Sequence, residues 1–359
     1  MKAMTDPMYD RAPRIVIWEM TRACPLSCRH CRAEAIPRRD PNELTTAQAF
    51  RLVEDVAACD HPLFVLTGGD PLMRDDIYKI IEYGSGLNLS MSVAPAASGR
   101  LTRETMRHLA SAGTRRISLS LDAPDAQAHD AFRGVQGSYR RTMEALANAR
   151  DYGISVQVNS TVTKQNRSRL REFEAVLAPF DIALWSLFFV LPVGRAGLDM
   201  CLDPADVDAA FADIHAVAAS APFAVKTTEA PHYRRYALQH EIVPPRDRET
   251  EPKHPPLRFP GIGDGRGFVF VSHHGDIQPS GFLSEAVGNV LQHSLLDIYR
   301  DHPVMRRLRR PETFEGKCGL CEFGRICGGS RARAYTTSGN PFASDPSCSY
   351  RPQAASALA

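Results

Sequence analysis

TRACPLSCRHC (residues 21–31) sets three cysteines at spacings of four and three, directly behind RIVIWEM (14–20), a short apolar run that reads as a strand. A strand that hands the chain straight to three thiols is the feature on which the fold turns. Disulfides, a zinc site, a redox pair and an iron–sulfur cluster all use clustered cysteine. The chain has nine cysteines, and their placement is uneven. Cys24, Cys28 and Cys31 form one group, Cys318, Cys321, Cys327 and Cys348 a second, and only Cys59 and Cys201 stand alone. These two read as small structural hydrophobes.

The 359 residues carry 43 basic and 41 acidic side chains, a net charge of +2. That balance exerts no general pull toward nucleic acid or membrane. The first twenty residues hold no apolar stretch of signal-peptide length, and no run of eighteen apolar residues occurs anywhere. The expected location is the cytoplasm, where structural disulfides are not kept and clustered cysteines mean metal or redox chemistry.

Outward from the first strand, apolar runs alternate with helical periodicity. Strands are predicted at 14–20, 62–67, 87–93, 116–122, 154–162 and 182–192. Helices are predicted at 45–59, 74–84, 102–113, 138–153 and 167–179. Six strands with five intervening helices argue for a parallel sheet with right-handed crossovers. The count suits a partial (β/α)6 TIM-like barrel followed by a small cysteine-rich C-terminal domain. A doubly wound sheet is the structural alternative. The boundaries expected are a barrel over 14–200, a bridging helix and mobile segment over 201–263, and the tail domain over 264–350. Residues 240–265, rich in Pro, Gly and charge, carry the mobility, and 267–283 reads as a hairpin.

Thiolates are soft ligands that suit zinc or iron–sulfur. A structural zinc site is closed by four ligands. The first group offers three, and His30, wedged between Cys28 and Cys31, is cramped for the same ion. Three thiolates on a four-iron cluster leave one iron open, which chemistry needs. The loop lies where barrel enzymes keep their active sites. A zinc knuckle is the bland alternative.

Cys24-x3-Cys28-x2-Cys31 after strand one resembles the signature of the radical S-adenosylmethionine (SAM) superfamily. Gly68-Gly69-Asp70-Pro71 after strand two resembles that family's GGEP motif, with Asp in place of Glu. The resemblance implies that the open iron chelates SAM and that Gly68, Gly69, Asp70 and Pro71 receive its methionine amino group. It also implies that Ser120 and Asp122 lie near SAM, that Asn159 and Ser160 face its ribose, and that Arg133 in Phe132-Arg133-Gly134 meets a carboxylate. His30 replaces the family's usual aromatic before the third cysteine and bears on packing against adenine. For each softer match, a strand-end cap or turn is the structural alternative.

The C-terminal group resembles the SPASM/twitch auxiliary-cluster domain. The full pattern binds two clusters, but its two further expected thiols fall on Ser280 and Arg331. The resemblance therefore implies one closed auxiliary cluster on Cys318, Cys321, Cys327 and Cys348. A zinc ribbon is the competing reading. CEFGRICGGSRARAY (321–335) is similar to the tails of heme-maturation radical enzymes.

The resemblance implies an enzyme with two [4Fe-4S] clusters and SAM, served by an electron donor such as flavodoxin or ferredoxin. It would cleave SAM reductively and oxidise or decarboxylate a carboxylated small molecule, a tetrapyrrole or natural-product precursor. A SPASM-type peptide maturase is the alternative, although about a dozen residues before strand one are too few for the usual recognition module. A zinc-binding scaffold is the alternative from another class. Substrate candidates are Glu229, His232, Tyr233 and Arg234 in KTTEAPHYRRY (226–236), with Arg195 and Arg331: arginines to fork a carboxylate and an acid–base group beside them. A solvated helix start is the bland reading of that run.

Overall fold

The computed structural model describes residues 7–240 and 261–353. Most of the segment expected to be mobile, 241–260, lies outside the described residues. All six expected strands are present: β1 (Ile15–Glu19), β2 (Leu63–Thr67), β3 (Ser90–Val93), β4 (Arg116–Ser120), β5 (Ser155–Val162) and β6 (Leu184–Phe189). A seventh, β7 (Ala224–Thr228), pairs parallel to β6. Its last three residues open the run KTTEAPHYRRY (226–236), whose bland reading is a solvated helix start. The hairpin is real: β8 (Phe268–Val271) and β9 (Asp276–Gln278) are antiparallel, and β10 (Gly288–Asn289) follows.

The strand order is β10-β9-β8-β1-β2-β3-β4-β5-β6-β7. From β1 to β7 it never reverses, so there is no switch point and the doubly wound alternative falls. The fold is a partial parallel barrel. Its sheet extends past residue 200 at both edges, because β7 lengthens one side and β8 lies parallel to β1 on the other.

Period-two alternation assigns the two faces of each strand. On β5 the burial alternates without exception. Val156, Val158, Ser160 and Val162 point to the helices; Gln157, Asn159 and Thr161 point into the barrel. The outer face packs a core that includes Trp18, Phe64, Leu66, Leu119 and Trp185, all fully buried. Each such side chain contributes about 1.5–3 kcal/mol by leaving water. The helices are set by local signals. Thr45 caps Thr46–Ala57 through a capping box with Gln48, and Asp203 caps Pro204–Ser220.

The inner face is divided. Ile15, Ile17, Leu63, Val65 and Phe268 line β1, β2 and β8, which end in Glu19 and Thr67 on the same face, whereas Ser92, Arg116, Ser120, Asn159, Ser186 and Lys226 put polar groups on β3–β7 beside Leu184 and Phe188 of β6.

Candidate active site

The loop leaving β1 carries the first three cysteines at the C-terminal end of the barrel. All nine cysteines are free thiols. Cys24 and Cys28 are buried and Cys31 is half-buried. Burial pushes the Cys24 thiol up to about 12 and raises Cys28 as well, with neighbouring thiols adding to both shifts. Such thiols ionise only when a cation compensates them, as a metal cluster does. Backbone N–H groups prepare for that charge: Leu26 donates to Cys24 Sγ and Ala35 to Cys31 Sγ, both at 3.4 Å. Three free thiols, two of them with N–H support, fit a cluster that retains one open iron.

Two further loops brace this one. Gly69 N–H donates to Thr21 O at 2.8 Å and Asp70 N–H to Ala23 O at 2.7 Å. A Cβ on Gly68 would sit 2.3 Å from Thr21 O, and one on Gly69 2.5 Å from Ala23 O. The close approach that demands glycine is therefore to the cysteine loop's own backbone. Asp70 is buried and ties the turn to the next loop, accepting from Leu72 N–H (3.1 Å), Ser98 Oγ (3.0 Å) and Ala96 N–H (3.4 Å). Burial raises its pKa. Pro71 begins the short turn Pro71–Met73.

The second brace is Phe132-Arg133-Gly134. Phe132 O accepts from Arg29 N–H at 3.1 Å, and its ring stacks on His30 at 4.4 Å. A Cβ on Gly134 would fall 2.7 Å from Ser27 O. The carboxylate that Arg133 meets is Asp122 of this chain, at 3.2 Å. Asp122 also accepts from Thr161 N–H at 2.8 Å, and nearby positive charge holds its pKa below the usual carboxylate range despite burial. Burial depresses His30 to about 4, so the ring is neutral. Ser120 and Asn159 sit side by side on the inner face, and Gln157 Nε2 donates to Asn159 Oδ1 at 2.7 Å.

Ser160 is a correction. Its hydroxyl donates to Leu121 O and accepts from Trp185 Nε1 at 2.8 Å, so it points to the helices and away from any ribose in the barrel.

His129 supports the same corner. Its Nδ1 accepts the Asp122 backbone N–H at 3.1 Å, which requires the neutral ring. Burial lowers its pKa to about 4. A folded pKa below the unfolded one means that the unfolded chain binds the extra proton first. Stability is therefore lost as pH falls from about 6.5 toward 4, by about 2 kcal/mol at pH 5 for this residue. Unfolding free energies from denaturant titrations at pH 7 and pH 5, followed by circular dichroism, should differ less in His129→Asn than in the native chain by that amount.

The tail brings Cys318, Cys321, Cys327 and Cys348 around one hollow, with Gly328 and Gly329 in its wall. Gly329 N–H donates to Cys327 Sγ and Asp345 N–H to Cys318 Sγ, both at 3.3 Å. Four free thiols on one hollow fit a closed four-iron cluster. Arg331 donates to Pro341 O (3.1 Å), Ala343 O (2.7 Å) and Cys318 Sγ (3.5 Å). Ser280 Oγ accepts from the N–H groups of Phe282 and Leu283 at 3.2 Å. Both positions that lack a thiol are thus absorbed into local structure.

The substrate candidates divide. Arg195 lies beside the cysteine loop, its N–H on Cys31 O at 3.1 Å and its side chain on Ala35 O at 3.3 Å. His232 and Tyr233 are both buried against Phe211. Arg234 spends its guanidinium on Ile326 O and Ile262 O, and Arg331 on the tail; neither presents a free fork to a ligand. Glu229 sits at the seam of barrel and tail with a left-handed backbone (φ 58°), accepting from Ser330 Oγ. Sequence reasoning missed Arg32, which joins Glu19 to Gly281 O and so links the cysteine loop to the tail.

A partial parallel barrel with three open thiols beyond its first strand and four closed ones in its tail defines an iron–sulfur enzyme scaffold. Residues 18–176 match the Radical SAM superfamily. The chain is 36% identical over 348 residues to an AdoMet-dependent heme synthase of Nitratidesulfovibrio vulgaris, covering 95% of this chain and 93% of that one. It is 33% identical to an AdoMet-dependent heme synthase of Methanosarcina barkeri, covering 98% and 99%. The fold matches Streptococcus suis SuiB bound to S-adenosylmethionine with a TM-score of 0.73 at 19% identity, over 95% of this chain and 78% of that one. The chain belongs to the radical SAM superfamily. It is an enzyme, and its cofactors are a [4Fe-4S] cluster and SAM, which displaces the zinc-scaffold alternative. Among the described residues no helix is long and apolar enough to cross a membrane.

Proposed function

We propose that this enzyme oxidises or decarboxylates a carboxylated tetrapyrrole. The observation that carries this is the near full-length similarity to relatives named as heme synthases, tail cysteines included. Cys24, Cys28 and Cys31 would hold the SAM-binding cluster, with Gly68 to Pro71, Ser120, Asp122, Asn159 and the Arg133 brace around SAM. When bound, cluster and SAM would supply the one-electron chemistry that removes a hydrogen atom from a substrate carbon. Cys318, Cys321, Cys327 and Cys348 would hold the auxiliary cluster, whose chemistry is to accept one electron from the oxidised substrate.

The chain's own part is positional. The Asp122–Arg133 pair and the Asp70 turn fix the cysteine loop from two sides, and the divided barrel wall orients the substrate. Barrel (14–200), bridge (201–263) and tail (264–350) divide the work of radical formation, connection and electron acceptance. Reducing equivalents would come from flavodoxin or ferredoxin in the cytoplasm.

The test is anaerobic incubation with SAM, dithionite and iron coproporphyrin III, a porphyrin with four propionate groups. The expected result is 5′-deoxyadenosine formation stimulated at least about tenfold by the porphyrin, with loss from it either of CO2 together with two hydrogens, one to 5′-deoxyadenosine and one as a proton and an electron, or of two hydrogens alone. SAM cleavage that ignores every porphyrin carboxylate but rises with a peptide would overturn the tetrapyrrole assignment in favour of a peptide maturase.

A further inference from the structure

Lys226 lies on the inner face of β7, opposite in direction to Val225, which packs on the helical core. Its row across the sheet is Ser186 on β6, Asn159 on β5 and Ser120 on β4. Its side chain is open to water yet enclosed by protein, so it lines a wet chamber inside the barrel. Arg116 starts β4 on the same inner face, since Ile117 and Leu119 are fully buried on the outer one.

Arg116 stands three strands from Lys226 and two rows nearer the N-terminal end of the barrel, so both cations face the same lumen. Enclosure and the positive charges of Arg116 and Arg234 pull the Lys226 amine down to about 8, and enclosure lowers Arg116 too. No carboxylate among the described residues pairs with either. Arg234 is satisfied by two carbonyls; the side chains of Lys226 and Arg116 have no hydrogen-bond partner among the described residues. Enclosed charges are ordinarily paired, because an unpaired one carries its desolvation cost uncompensated. Across the chamber stand Ile17, Val65 and Phe268. A lumen lined by Ile17, Val65, Phe268 and Phe188, with two unpaired cations between them, is complementary to a flat apolar body with carboxylates on its rim.

We infer that Lys226 and Arg116 form the site that binds the carboxylates of the substrate inside the barrel, and so determine its specificity. The inference rests on the tetrapyrrole reading for the identity of the apolar body. Lys226 lies two strands from Asn159, about 10 Å across the sheet. A carboxylate held there leaves another edge of a large substrate beneath the proposed SAM-facing residues.

The test is equilibrium binding of metal-free coproporphyrin III to the anaerobic, SAM-loaded holoenzyme, followed by porphyrin fluorescence, with the tetramethyl ester in parallel. Lys226→Met and Arg116→Met should each weaken coproporphyrin III about 10- to 100-fold, and leave the ester's affinity alone. Lys226→Arg, which keeps the charge, should bind within a few-fold of the native chain. Native iron content in the Met variants shows that they are folded. Native-like coproporphyrin III binding by folded Met variants would overturn the inference while the tetrapyrrole reading stood. If the native enzyme binds no porphyrin, acetylation of the Lys226 amine with and without glutarate decides. Protection by this simple dicarboxylate keeps the anion site and removes the tetrapyrrole; no protection removes the site.

Discussion

Replacement of Cys24, Cys28 and Cys31 together by alanine is expected to lower SAM cleavage by more than about three orders of magnitude and to leave about four irons per chain. The fold should tolerate the change. Two of these side chains are buried, but each loses only a sulfur, and the loop keeps its backbone bonds to Thr21, Ala23 and Ile36. What disappears is the only set of thiols at the barrel mouth among the described residues, so nothing nearby can replace the ligands. The tail thiols are separately framed by Gly329, Asp345 and Arg331 and should keep their own iron. The reciprocal change, Cys348→Ser, should spare the first cluster's spectrum. Retained SAM cleavage in the triple variant would refute the ligand assignment. An iron content near twelve in the native enzyme would refute a single auxiliary cluster.

Much of this was legible in the chain because the deciding signals are local. A strand followed by C-x3-C-x2-C, and another followed by GGDP, locate one barrel end without tertiary information. What escaped was of two kinds. Ser160 was assigned by its place in a motif, while its parity with Val156, Val158 and Val162 already put it on the outer face. Strand alternation was the stronger signal. β7 escaped because AVKTT is short and runs into a charged stretch that suggested a solvated helix. Losing that strand also lost Lys226, whose meaning depends on which residues face it across the barrel. The packing of His232 and Tyr233 on Phe211 was hidden for a related reason: polar residue types in sequence say nothing of burial, which is a tertiary fact. Arg331 shows the reverse. The missing thiol was legible, but its replacement's bond to Cys318 was not.

The glycines of GGDP yield the second large expected effect. Gly69→Ala should remove the iron of the three-cysteine site, taking the enzyme from about eight irons to about four, and lower SAM cleavage at least about 100-fold. The added Cβ would stand 2.5 Å from Ala23 O and 2.6 Å from Arg22 O. Both are backbone atoms, so no side-chain rotation relieves the clash; the turn or the cysteine loop has to move by most of an ångström. Ala23 immediately precedes Cys24, and the same turn holds that residue through Asp70 N–H. A displacement of this size exceeds the roughly 0.2 Å within which metal ligands must converge. Asp70 carries the disturbance to Ala96 and Ser98 on the next loop, so the damage extends beyond one thiol. Gly99→Ala is the control. It lies on that neighbouring loop, and a Cβ there meets nothing within 4 Å. It should change neither iron content nor cleavage. Iron analysis and 5′-deoxyadenosine yield on the two variants decide the matter: a Gly69→Ala enzyme with full iron and full cleavage would show that the turn does not set the cysteine loop, and the glycines would then have to be explained by ligand contact instead.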